Sequence, residues 1–388
     1  MQRIREQLTG LRQQGLFREL KTLSSPQQPV VVKEGREYLL LASNSYLGIS
    51  THPELMAAAQ QAIAQYGTGS GGSRLISGNC LLHEELERAL AEFKNTEAAI
   101  VFNTGYMANL GVISSLAGSG DVIFSDELNH ASIIDGCKLS RAKVVVYRHC
   151  DLGHLEVLLA GASTTGRKLI VTDGVFSMDG NLAPLPGIVN LARKYQAMVM
   201  VDDAHGTGVL GANGRGTVEY FGLENQVDIQ LGTLSKALAS EGGFVAGSKE
   251  LIQYLRNRAR TFIYSTGLAP GVIAASLAAL HVVDQQPWRR QTLSANANHL
   301  REGLAAMGYR VTPTCTPIIP VITGGTEPTI ALASAIDEGG LFAPAIRPPT
   351  VPPETCRLRV TVMATHTTEQ INKALEIFRA AGRQTGLI

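Results

Sequence analysis

Short apolar runs alternate with amphipathic stretches along most of this chain. The runs are rich in β-branched residues and almost continuously apolar, as expected for strands that are buried on both faces of a parallel sheet. They lie at residues 98–102, 122–124, 143–147, 169–172, 198–201 and 228–231, with one more candidate strand at 244–247. Helical stretches separate them, and the first predicted helices are at 53–66 and 81–93. This alternation predicts an α/β fold with a mostly parallel central sheet and helices on both of its faces.

The two ends of the chain depart from this alternation. Residues 3–20 place apolar side chains at helical spacing, and residues 30–32 and 38–41 predict a hairpin. A helix near 271–284 ends at the break Asp284-Gln285-Gln286-Pro287, and a smaller α/β lobe is predicted beyond it. The predicted elements of this lobe are a helix at 288–308, a strand at 318–323, a helix at 328–338, strands at 342–346 and 357–362, and a helix at 369–381. We therefore predict an N-terminal segment over residues 1–45, a large domain over 46–285 and a small domain over 286–388.

The charge balance limits the partners that this chain can have. The 388 residues include 34 Lys and Arg against 33 Asp and Glu, which gives a formal net charge of +1. Charged residues make up 17% of the chain, below the roughly 25% of an average soluble domain, which suggests that a second subunit covers part of the surface. A near-neutral chain without blocks of like charge argues against nucleic acid or an anionic membrane as partner.

The cysteines and the hydropathy indicate the compartment. The five cysteines are odd in number, scattered and without a C-x-x-C pair: Cys80, Cys137, Cys150, Cys315 and Cys356. This favours a reducing compartment and argues against a disulfide framework or a cysteine-based zinc site. The chain has neither an apolar run of about 18 residues nor the apolar stretch of a signal peptide at its start. We expect a cytoplasmic protein that binds no metal.

Candidate chemistry lies where three predicted strands end, because open parallel sheets bind ligands beyond the carboxyl ends of their strands. The strand at 198–201 leads to Asp202-Asp203-Ala204-His205, and the strand near 228–231 leads to Thr233-Leu234-Ser235-Lys236. The strand at 98–102 leads to Asn103-Thr104-Gly105-Tyr106, where a helix is predicted to start.

These segments offer the groups that pyridoxal phosphate (PLP) needs. A desolvated lysine can form a Schiff base, and a strand-end carboxylate can pair with a pyridinium nitrogen. The free amides of a glycine-led helix start can bind a phosphate. Lys236, Asp202 and the helix start at Gly105 therefore suggest PLP, although a single lysine in such a position is far more often a surface lysine.

Two glycine motifs match G-x-G-x-x-G but lack the context that the dinucleotide fingerprint requires. The motif at 67–72 follows a helix, and the motif at 206–211 is followed by a loop, whereas the fingerprint needs a strand before it and a helix after it. The sequence has no G-x-S-x-G nucleophile elbow, and His205 has no second His or Cys at metal-ligand spacing. NAD binding, hydrolase chemistry and a metal site are therefore disfavoured.

Four motifs together resemble those of the α-oxoamine synthases, which condense an amino acid with an acyl thioester and release carbon dioxide. They are Asp202-Asp203-Ala204-His205-Gly206-Thr207-Gly208, Thr233-Leu234-Ser235-Lys236, Asn129-His130-Ala131-Ser132 and Gly174-Val175-Phe176-Ser177-Met178-Asp179-Gly180. The resemblance covers nearly the whole chain, from Ser43 to Arg359. It implies the PLP-dependent transferase fold of type I, with a large α/β domain, a smaller C-terminal α/β lobe and an N-terminal helix.

The resemblance also implies roles around the cofactor. Lys236 would carry PLP as a Schiff base and later move the Cα proton of the substrate. Asp202 would pair with the pyridinium nitrogen, His205 would hydrogen-bond the phenolic oxygen, and His130 would stack on the ring. The remaining cofactor contacts implied by the resemblance are Gly105, Tyr106, Thr233 and Ser177, with Ser265 and Thr266 reaching the phosphate across a dimer interface.

Substrate contacts and a partner follow from the same resemblance. Arg359 would clamp the carboxylate of the amino acid, because its guanidinium can make two parallel hydrogen bonds. Arg18, Asn44, His130 and Thr350 match positions that touch substrate. The resemblance implies a homodimer with composite active sites, in which the loop at 69–73 lies close to the shared site.

One segment separates branches of the family. Ala345-Ile346-Arg347-Pro348-Pro349-Thr350-Val351-Pro352 resembles the biotin-pathway branch, which joins L-alanine to a pimeloyl thioester of coenzyme A or acyl carrier protein. Glycine C-acetyltransferases and other members stay open as alternatives, because the stretch at 125–136 occurs in both branches. A non-catalytic nucleotide or metabolite binder is the alternative from another class, and the intact Lys236 argues against it.

Overall fold

A computed structural model describes residues 1–14 and 16–388 and begins with a helix followed by a hairpin. Helix α1 spans Gln2–Gln13, and strands β1 (Val30–Lys33) and β2 (Arg36–Leu40) pair antiparallel, as predicted. The helix predicted over 3–20 is too long. No residue of α1 is buried, and packing of an apolar face supplies most of the stability of helices in proteins. Helical spacing of apolar residues alone therefore does not carry the helix beyond Gln13.

The central part of the chain alternates helices and strands as predicted, with small shifts at their ends. Its elements are α2 (Pro53–Tyr66), α3 (Leu81–Lys94), β3 (Ala98–Phe102), α4 (Gly105–Leu116), β4 (Val122–Asp126), α5 (Ala131–Ser140), β5 (Lys143–Tyr147), α6 (Leu152–Ala160), β6 (Lys168–Asp173), α7 (Leu185–Tyr195), β7 (Met198–Asp202), α8 (Thr217–Tyr220), β8 (Ile229–Thr233), β9 (Gly243–Gly247), α9 (Lys249–Arg258), α10 (Arg260–Ile263) and α11 (Pro270–Gln285).

Strands β3 to β9 form one seven-stranded sheet in the order β3-β9-β8-β7-β6-β4-β5. Only β9 runs antiparallel to its neighbours, so the sheet is mostly parallel, as predicted. Separate clusters of buried apolar residues cover its two faces, one through Val112 of α4 and Ile133 of α5, the other through Leu155 of α6 and Ile188 of α7. The prediction that every strand is buried on both faces is wrong for β5, which is an edge strand and exposes Val146.

The C-terminal part is a second α/β layer. Its elements are α12 (Trp288–Ala306), β10 (Arg310–Val311), β11 (Ile318–Gly324), α13 (Thr326–Glu338), β12 (Leu341–Phe342), β13 (Ala345–Ile346), a 3₁₀ turn (Pro353–Thr355), β14 (Cys356–Thr361) and α14 (Thr368–Thr385). A four-stranded antiparallel sheet has the order β10-β11-β14-β13, while β12 pairs parallel with β2 of the N-terminal hairpin. The single strand predicted at 342–346 is therefore wrong, because Pro344, which has no N–H to donate, lies between β12 and β13. The predicted division of the chain into an N-terminal segment, a large domain and a small domain, with boundaries at residues 45 and 285, stays a prediction.

Two further observations concern the chain as a whole. None of the helices in the described part of the chain combines the length and the apolar character that a bilayer span requires. All five cysteines are free thiols in the structure, and Cys137 and Cys356 are buried.

Candidate active site

Asp202 is the last residue of β7 and is almost fully buried at the carboxyl edge of the large sheet. Its Oδ2 accepts a hydrogen bond of 2.7 Å from Nδ2 of Asn109 on α4, and its Oδ1 accepts one of 3.0 Å from the amide of Ala204. Charge-assisted hydrogen bonds of this kind are among the strong ones in proteins. The carboxylate is therefore held in a single orientation at the bottom of the site.

A second carboxylate, Asp173, ends the neighbouring strand β6 directly beside Asp202. Burial, and then the negative charge of Asp202, raises the pKa of Asp173 well above its usual value. Its Oδ2 accepts a hydrogen bond of 2.8 Å from the amide of His130, which is the N-cap residue of α5. Asn109 also donates to Ser132 Oγ at 2.9 Å, and Ser132 Oγ lies 2.7 Å from Nδ1 of His130. Both carboxylates thus take part in positioning His130.

Lys236 follows β8 and is half-buried. Its amino group forms no hydrogen bond or ion pair within the described part of the chain. Burial is the main cause that lowers the pKa of Lys236, and the carboxylates of Asp202 and Asp173 oppose it while Arg359 adds to it. A lysine with a lowered pKa supplies more neutral amine near neutral pH, which is the form that acts as nucleophile or base.

Arg359 on β14 joins the small sheet to this edge of the large one. Its Nε donates to the carbonyl oxygen of Ser177 at 2.5 Å, and its Nη2 donates to Oδ1 of Asn44 at 3.0 Å. The same Nη2 lies 3.4 Å from Oη of Tyr46. Its Nη1 makes no hydrogen bond within the described part of the chain, so one edge of the fork is free for a carboxylate.

His205 is buried, and its Nδ1 forms a hydrogen bond of 2.6 Å with the hydroxyl of the fully buried Tyr46. Burial, followed by the positive charges of Lys236 and Arg359, lowers the pKa of His205 well below its usual value. The imidazole is therefore neutral at physiological pH and can take part in hydrogen bonds through both ring nitrogens.

The start of α4 and the end of β8 meet in one place. Thr104 caps α4 by accepting a hydrogen bond of 3.0 Å from the amide of Met107, and Gly105 is the first helical residue. A Cβ atom on Gly105 would lie 3.7 Å from the side chain of Thr233, the last residue of β8. A helix start with free amides next to a hydroxyl suits a phosphate. Tyr106 is exposed there and its hydroxyl donates to the carboxylate of Asp135.

The segment at 265–266 lies beside this helix start within the same chain. The carbonyl of Thr266 accepts a hydrogen bond of 2.9 Å from Nδ2 of Asn103, and Thr266 forms an isolated β-bridge with Ser73. The role of Ser265 and Thr266 at the phosphate of a partner subunit stays a prediction.

The structure does not bring all of the predicted residues together. Asp202, His205, His130, Lys236 and Arg359 meet at the edge of the large sheet, and we call this group the sheet-edge site. Asn44 and Lys236 line a cavity of about 520 Å³ there. Arg18 and Thr350 are exposed and line a different cavity of about 760 Å³, which we call the outer groove.

Three residues of the site were not predicted as site residues. Tyr46 lies two residues after Asn44, near the start of the region over which the resemblance runs, so its position was available as a signal. Asp173 directly follows the predicted strand at 169–172, as Asp202 follows the strand at 198–201, so the sequence carries the same signal for it. Asn109 lies inside a helix and gives no signal in the sequence, because only the packing of α4 against β7 brings it to Asp202.

Comparisons with known proteins define the class. Residues 36–378 match the aminotransferase class I and II family, and the chain belongs to this family. Solved serine palmitoyltransferases have the same fold over almost the entire chain. That of Sphingomonas wittichii superposes with a TM-score of 0.94 at 37% identity, covering 99% of this chain and 97% of that one. One from S. paucimobilis with bound PLP–myriocin superposes with a TM-score of 0.95 at 38% identity. The match covers 99% of this chain and 98% of that one. The expected fold class is confirmed.

More specific relatives are curated as 8-amino-7-oxononanoate synthases. That of Geobacter sulfurreducens is 52% identical over 384 residues, 98% of both chains. That of Lysinibacillus sphaericus is 49% identical over 386 residues, 100% of this chain and 99% of that one. A solved 8-amino-7-oxononanoate synthase of Francisella tularensis is 31% identical with a TM-score of 0.78, covering 90% of this chain and 99% of that one. These relatives confirm the resemblance that the motifs indicate.

Proposed function

We propose that this protein condenses L-alanine with a pimeloyl thioester to form 8-amino-7-oxononanoate, with release of carbon dioxide and of coenzyme A or acyl carrier protein. This reaction belongs to biotin biosynthesis. The observation that carries the proposal is the identity of about half of all residues, from end to end, with relatives curated under that activity. The sheet-edge site supports it, because an amine, a carboxylate and an arginine fork meet there.

The residues of the sheet-edge site fit PLP as the cofactor. When bound, PLP supplies an aldehyde that a primary amine can attack and a ring that withdraws electrons from the Cα of an amino acid. Lys236 offers the primary amine, and Asp202 offers a fixed carboxylate for the ring nitrogen. The free amides at the helix start of Gly105 lie beside the Thr233 side chain, which suits the phosphate.

Lys236 is the residue that moves protons at the Cα of the substrate in this proposal. Burial lowers its pKa, so that a larger fraction of the amine is free to accept a proton and return it later. The carboxylates of Asp202 and Asp173 lie near enough to stabilise the positive charge that Lys236 gains in between. Arg359 orients the amino acid, because its free Nη1 edge can bind the carboxylate that will be lost as carbon dioxide.

His130 covers the site from the side of α5. The backbone amide of His130 donates a hydrogen bond to the Asp173 carboxylate, and its ring forms a hydrogen bond with Ser132 Oγ, so that both backbone and ring are held. A ring held in this way can stack on a flat cofactor and limit the rotation of the bound amino acid.

A thiol-release assay on the PLP-loaded protein tests the proposed substrates. We expect fast release with L-alanine and pimeloyl-CoA, and slow release with glycine and acetyl-CoA or with L-serine and palmitoyl-CoA. The serine pair belongs in the assay because the serine palmitoyltransferases share the backbone so closely. Faster release with either of the other pairs would overturn the substrate assignment and leave Lys236 and Asp202 in their roles. A protein that binds no PLP would overturn the whole proposal.

The same proposal includes a homodimer with shared active sites. The loop at 72–78 is tied to residues 266–267, because the amide of Gly267 donates to the carbonyl of Gly72 at 2.9 Å. This surface exposes large apolar side chains, among them Ile76, which is 84% exposed, and Tyr264. Exposed apolar groups on adjacent segments are typical of interfaces. Light scattering should give a mass twice that of the single chain, and the variant Ile76→Asp should shift the measured mass toward that of the monomer. A monomeric wild-type protein would refute the proposed homodimer.

We place this reaction in the cytoplasm, as the scattered free cysteines lead us to expect. We also propose that the large and small domains meet at the sheet-edge site, because Arg359 comes from β14 and its partners Asn44 and Ser177 lie in earlier parts of the chain.

A further inference from the structure

The hydroxyl of Tyr46 lies between three polar side chains of the sheet-edge site. Tyr46 is fully buried, and its Oη lies 2.6 Å from Nδ1 of His205, 3.2 Å from Oδ1 of Asn44 and 3.4 Å from Nη2 of Arg359. A phenol has a single proton to donate, and His205 and Asn44 can each accept it. The proton of Tyr46 therefore goes to one of these two residues and not to the other.

Two arrangements of protons are compatible with these neighbours, because a neutral imidazole carries one proton on either of its ring nitrogens. In the first arrangement, Tyr46 donates to Nδ1 of His205, and the ring proton of His205 is on Nε2. In the second arrangement, Tyr46 donates to Asn44, while Nδ1 of His205 carries the ring proton and donates it to Tyr46. Nε2 of His205 is thus a hydrogen-bond donor in the first arrangement and an acceptor in the second.

The orientation of the Asn44 amide follows from Arg359. Nη2 of Arg359 lies 3.0 Å from Oδ1 of Asn44, and a guanidinium can only donate hydrogen bonds. The oxygen of the amide, and not its nitrogen, must therefore face Arg359. Oδ1 of Asn44 thus has a charged donor at a shorter distance than the hydroxyl of Tyr46, so it does not depend on Tyr46 for a partner.

The distances decide between the two arrangements. The second arrangement needs an N–H of His205 to donate to Oη of Tyr46 at 2.6 Å, but such bonds measure about 2.7–3.2 Å. It also needs the hydroxyl of Tyr46 to donate to Oδ1 of Asn44 at 3.2 Å, but bonds from a hydroxyl to an oxygen measure about 2.5–3.0 Å. Neither bond has the length that it requires, and the first arrangement needs neither of them.

We propose that Tyr46 is a positioning residue that fixes the ring proton of His205 on Nε2, so that His205 acts as a hydrogen-bond donor in the sheet-edge site. Nε2 of His205 makes no hydrogen bond within the described part of the chain, so its proton is free for a bound molecule. The positive charge of Arg359 beside Oη polarises the hydroxyl of Tyr46 and strengthens its bond to His205.

The acceptor for this proton is the phenolic oxygen of PLP, a step that rests on the proposed function. The visible absorption of bound PLP depends on the proton at Nζ of Lys236, which the negative charge of the phenolic oxygen stabilises. A hydrogen bond from His205 offsets part of this charge, so the proton at Nζ is lost at lower pH. The other charged and titratable groups that act on His205 are Arg359 and His130. Tyr46 thus influences the cofactor through His205 without touching it.

The first test locates the ring proton of His205 in the PLP-loaded protein by nitrogen NMR, because ring nitrogens with and without a proton have well-separated chemical shifts. Comparison with His205→Gln identifies the signals. We expect Nε2 of His205 to be protonated and Nδ1 to be without a proton, and the reverse would overturn the proposal. Neutron diffraction from wild-type crystals answers the same question without any variant. A protein that binds no PLP would refute the proposed function, and the position of the ring proton can still be measured in it.

The second test is Tyr46→Phe, which keeps the aromatic ring and removes the hydroxyl. The ring proton of His205 should then distribute between both nitrogens, so the Nδ1 signal should move toward that of a protonated nitrogen. The pH midpoint of the visible absorption should rise by about half a unit to one unit, the effect of one hydrogen bond. Turnover should fall up to about tenfold with a nearly unchanged KM for L-alanine, because Arg359 keeps its bonds to Asn44 and Ser177.

Tyr309→Phe is the matched control, because it removes another buried tyrosine hydroxyl, which donates to the carbonyl of Phe378 at 2.7 Å. This variant should leave the signals of His205, the pH midpoint and turnover as in the wild type. Unchanged His205 signals in Tyr46→Phe, or equal changes in both variants, would contradict the role of Tyr46. A moved Nδ1 signal with an unchanged pH midpoint would refute the contact between His205 and the cofactor.

Discussion

The sheet-edge site and the outer groove are built on opposite physical principles. At the sheet-edge site, Asp202, His205 and Arg359 are almost fully buried, and each is held by hydrogen bonds from other elements. In the outer groove, Arg18 and Thr350 are exposed to solvent. Charges interact strongly where water is excluded and weakly where it is present.

The difference indicates a division of labour. A preorganised, buried constellation suits bond making and breaking, because its dipoles need not reorganise during the reaction. In the proposed function we assign the outer groove to the acyl thioester, because the resemblance matches Arg18 and Thr350 to positions that touch substrate. Substitutions at the sheet-edge site should therefore affect turnover by large factors, and substitutions in the outer groove should affect acyl affinity by small ones.

The largest effect is expected for Lys236→Ala. In the proposed function, loss of the amine removes both the attachment point for the cofactor and the proton carrier. General acid–base catalysis alone contributes up to about ten-thousand-fold. Thiol release should fall by at least that factor, and the visible absorption of the loaded protein should weaken. Lys249→Ala, at an exposed lysine, is the matched control and should behave as the wild type. Turnover by Lys236→Ala within tenfold of the wild type would contradict the proposed role of Lys236 as cofactor-binding and proton-carrying residue.

Asp202→Asn should follow, with turnover lowered about a hundredfold, because a hydrogen bond to a charged group contributes roughly 1.5–3 kcal/mol. The variant Asn109→Ala tests the hydrogen bond to the carboxylate separately from the carboxylate itself. It keeps the side chain of Asp202 and removes one hydrogen-bond donor, so we expect turnover to fall only about tenfold. Single-turnover measurement of the condensation with L-alanine checks both. If Asn109→Ala cost as much as Asp202→Asn, the ionised carboxylate would not be the decisive feature.

Arg359→Lys should raise the KM for L-alanine more than it lowers kcat. The substitution keeps the charge but loses the fork, and about 2 kcal/mol of binding corresponds to roughly thirtyfold in affinity. Steady-state kinetics with varied L-alanine and saturating pimeloyl-CoA measures this effect. Arg310→Lys, on an exposed position of β10, is the control. A drop in kcat alone, with an unchanged KM, would show that Arg359 does not bind the amino acid.

The smallest effect is expected for Arg18→Ala, which should raise the KM for pimeloyl-CoA by less than about fivefold, because exposed charge pairs contribute at most about 1 kcal/mol. Higher salt should reduce the difference from the wild type further. A loss of more than a hundredfold, or an effect on L-alanine instead of the thioester, would show that the outer groove closes onto the sheet-edge site during the reaction. Arg5→Ala, on exposed α1, is the control.

The strands of the large sheet could be predicted closely because each one is a short, continuously apolar run, and such runs are stable only inside a sheet. The residues at their ends followed from the same argument, since parallel strands present their carboxyl ends on one edge. The end of α1 at Gln13 could not be predicted in this way, because it depends on which neighbour is available for the helix to pack against. The split of 342–346 into two strands has a local signal, since Pro344 has no N–H to donate, but only the tertiary structure decides that β12 pairs with β2 and β13 with β14.

The order of Gly105, Asp202 and Lys236 along the chain, each at the end of a buried strand, was sufficient to indicate a lysine–carboxylate–phosphate site. The contacts that tune this site come from elsewhere: Asn109 from inside a helix and Tyr46 from the N-terminal part of the chain. Packing between elements far apart in sequence brings these groups within hydrogen-bond distance and removes water from around them. Local composition therefore determines which residues carry chemistry, and only the tertiary structure decides their partners, their burial and hence their pKa values.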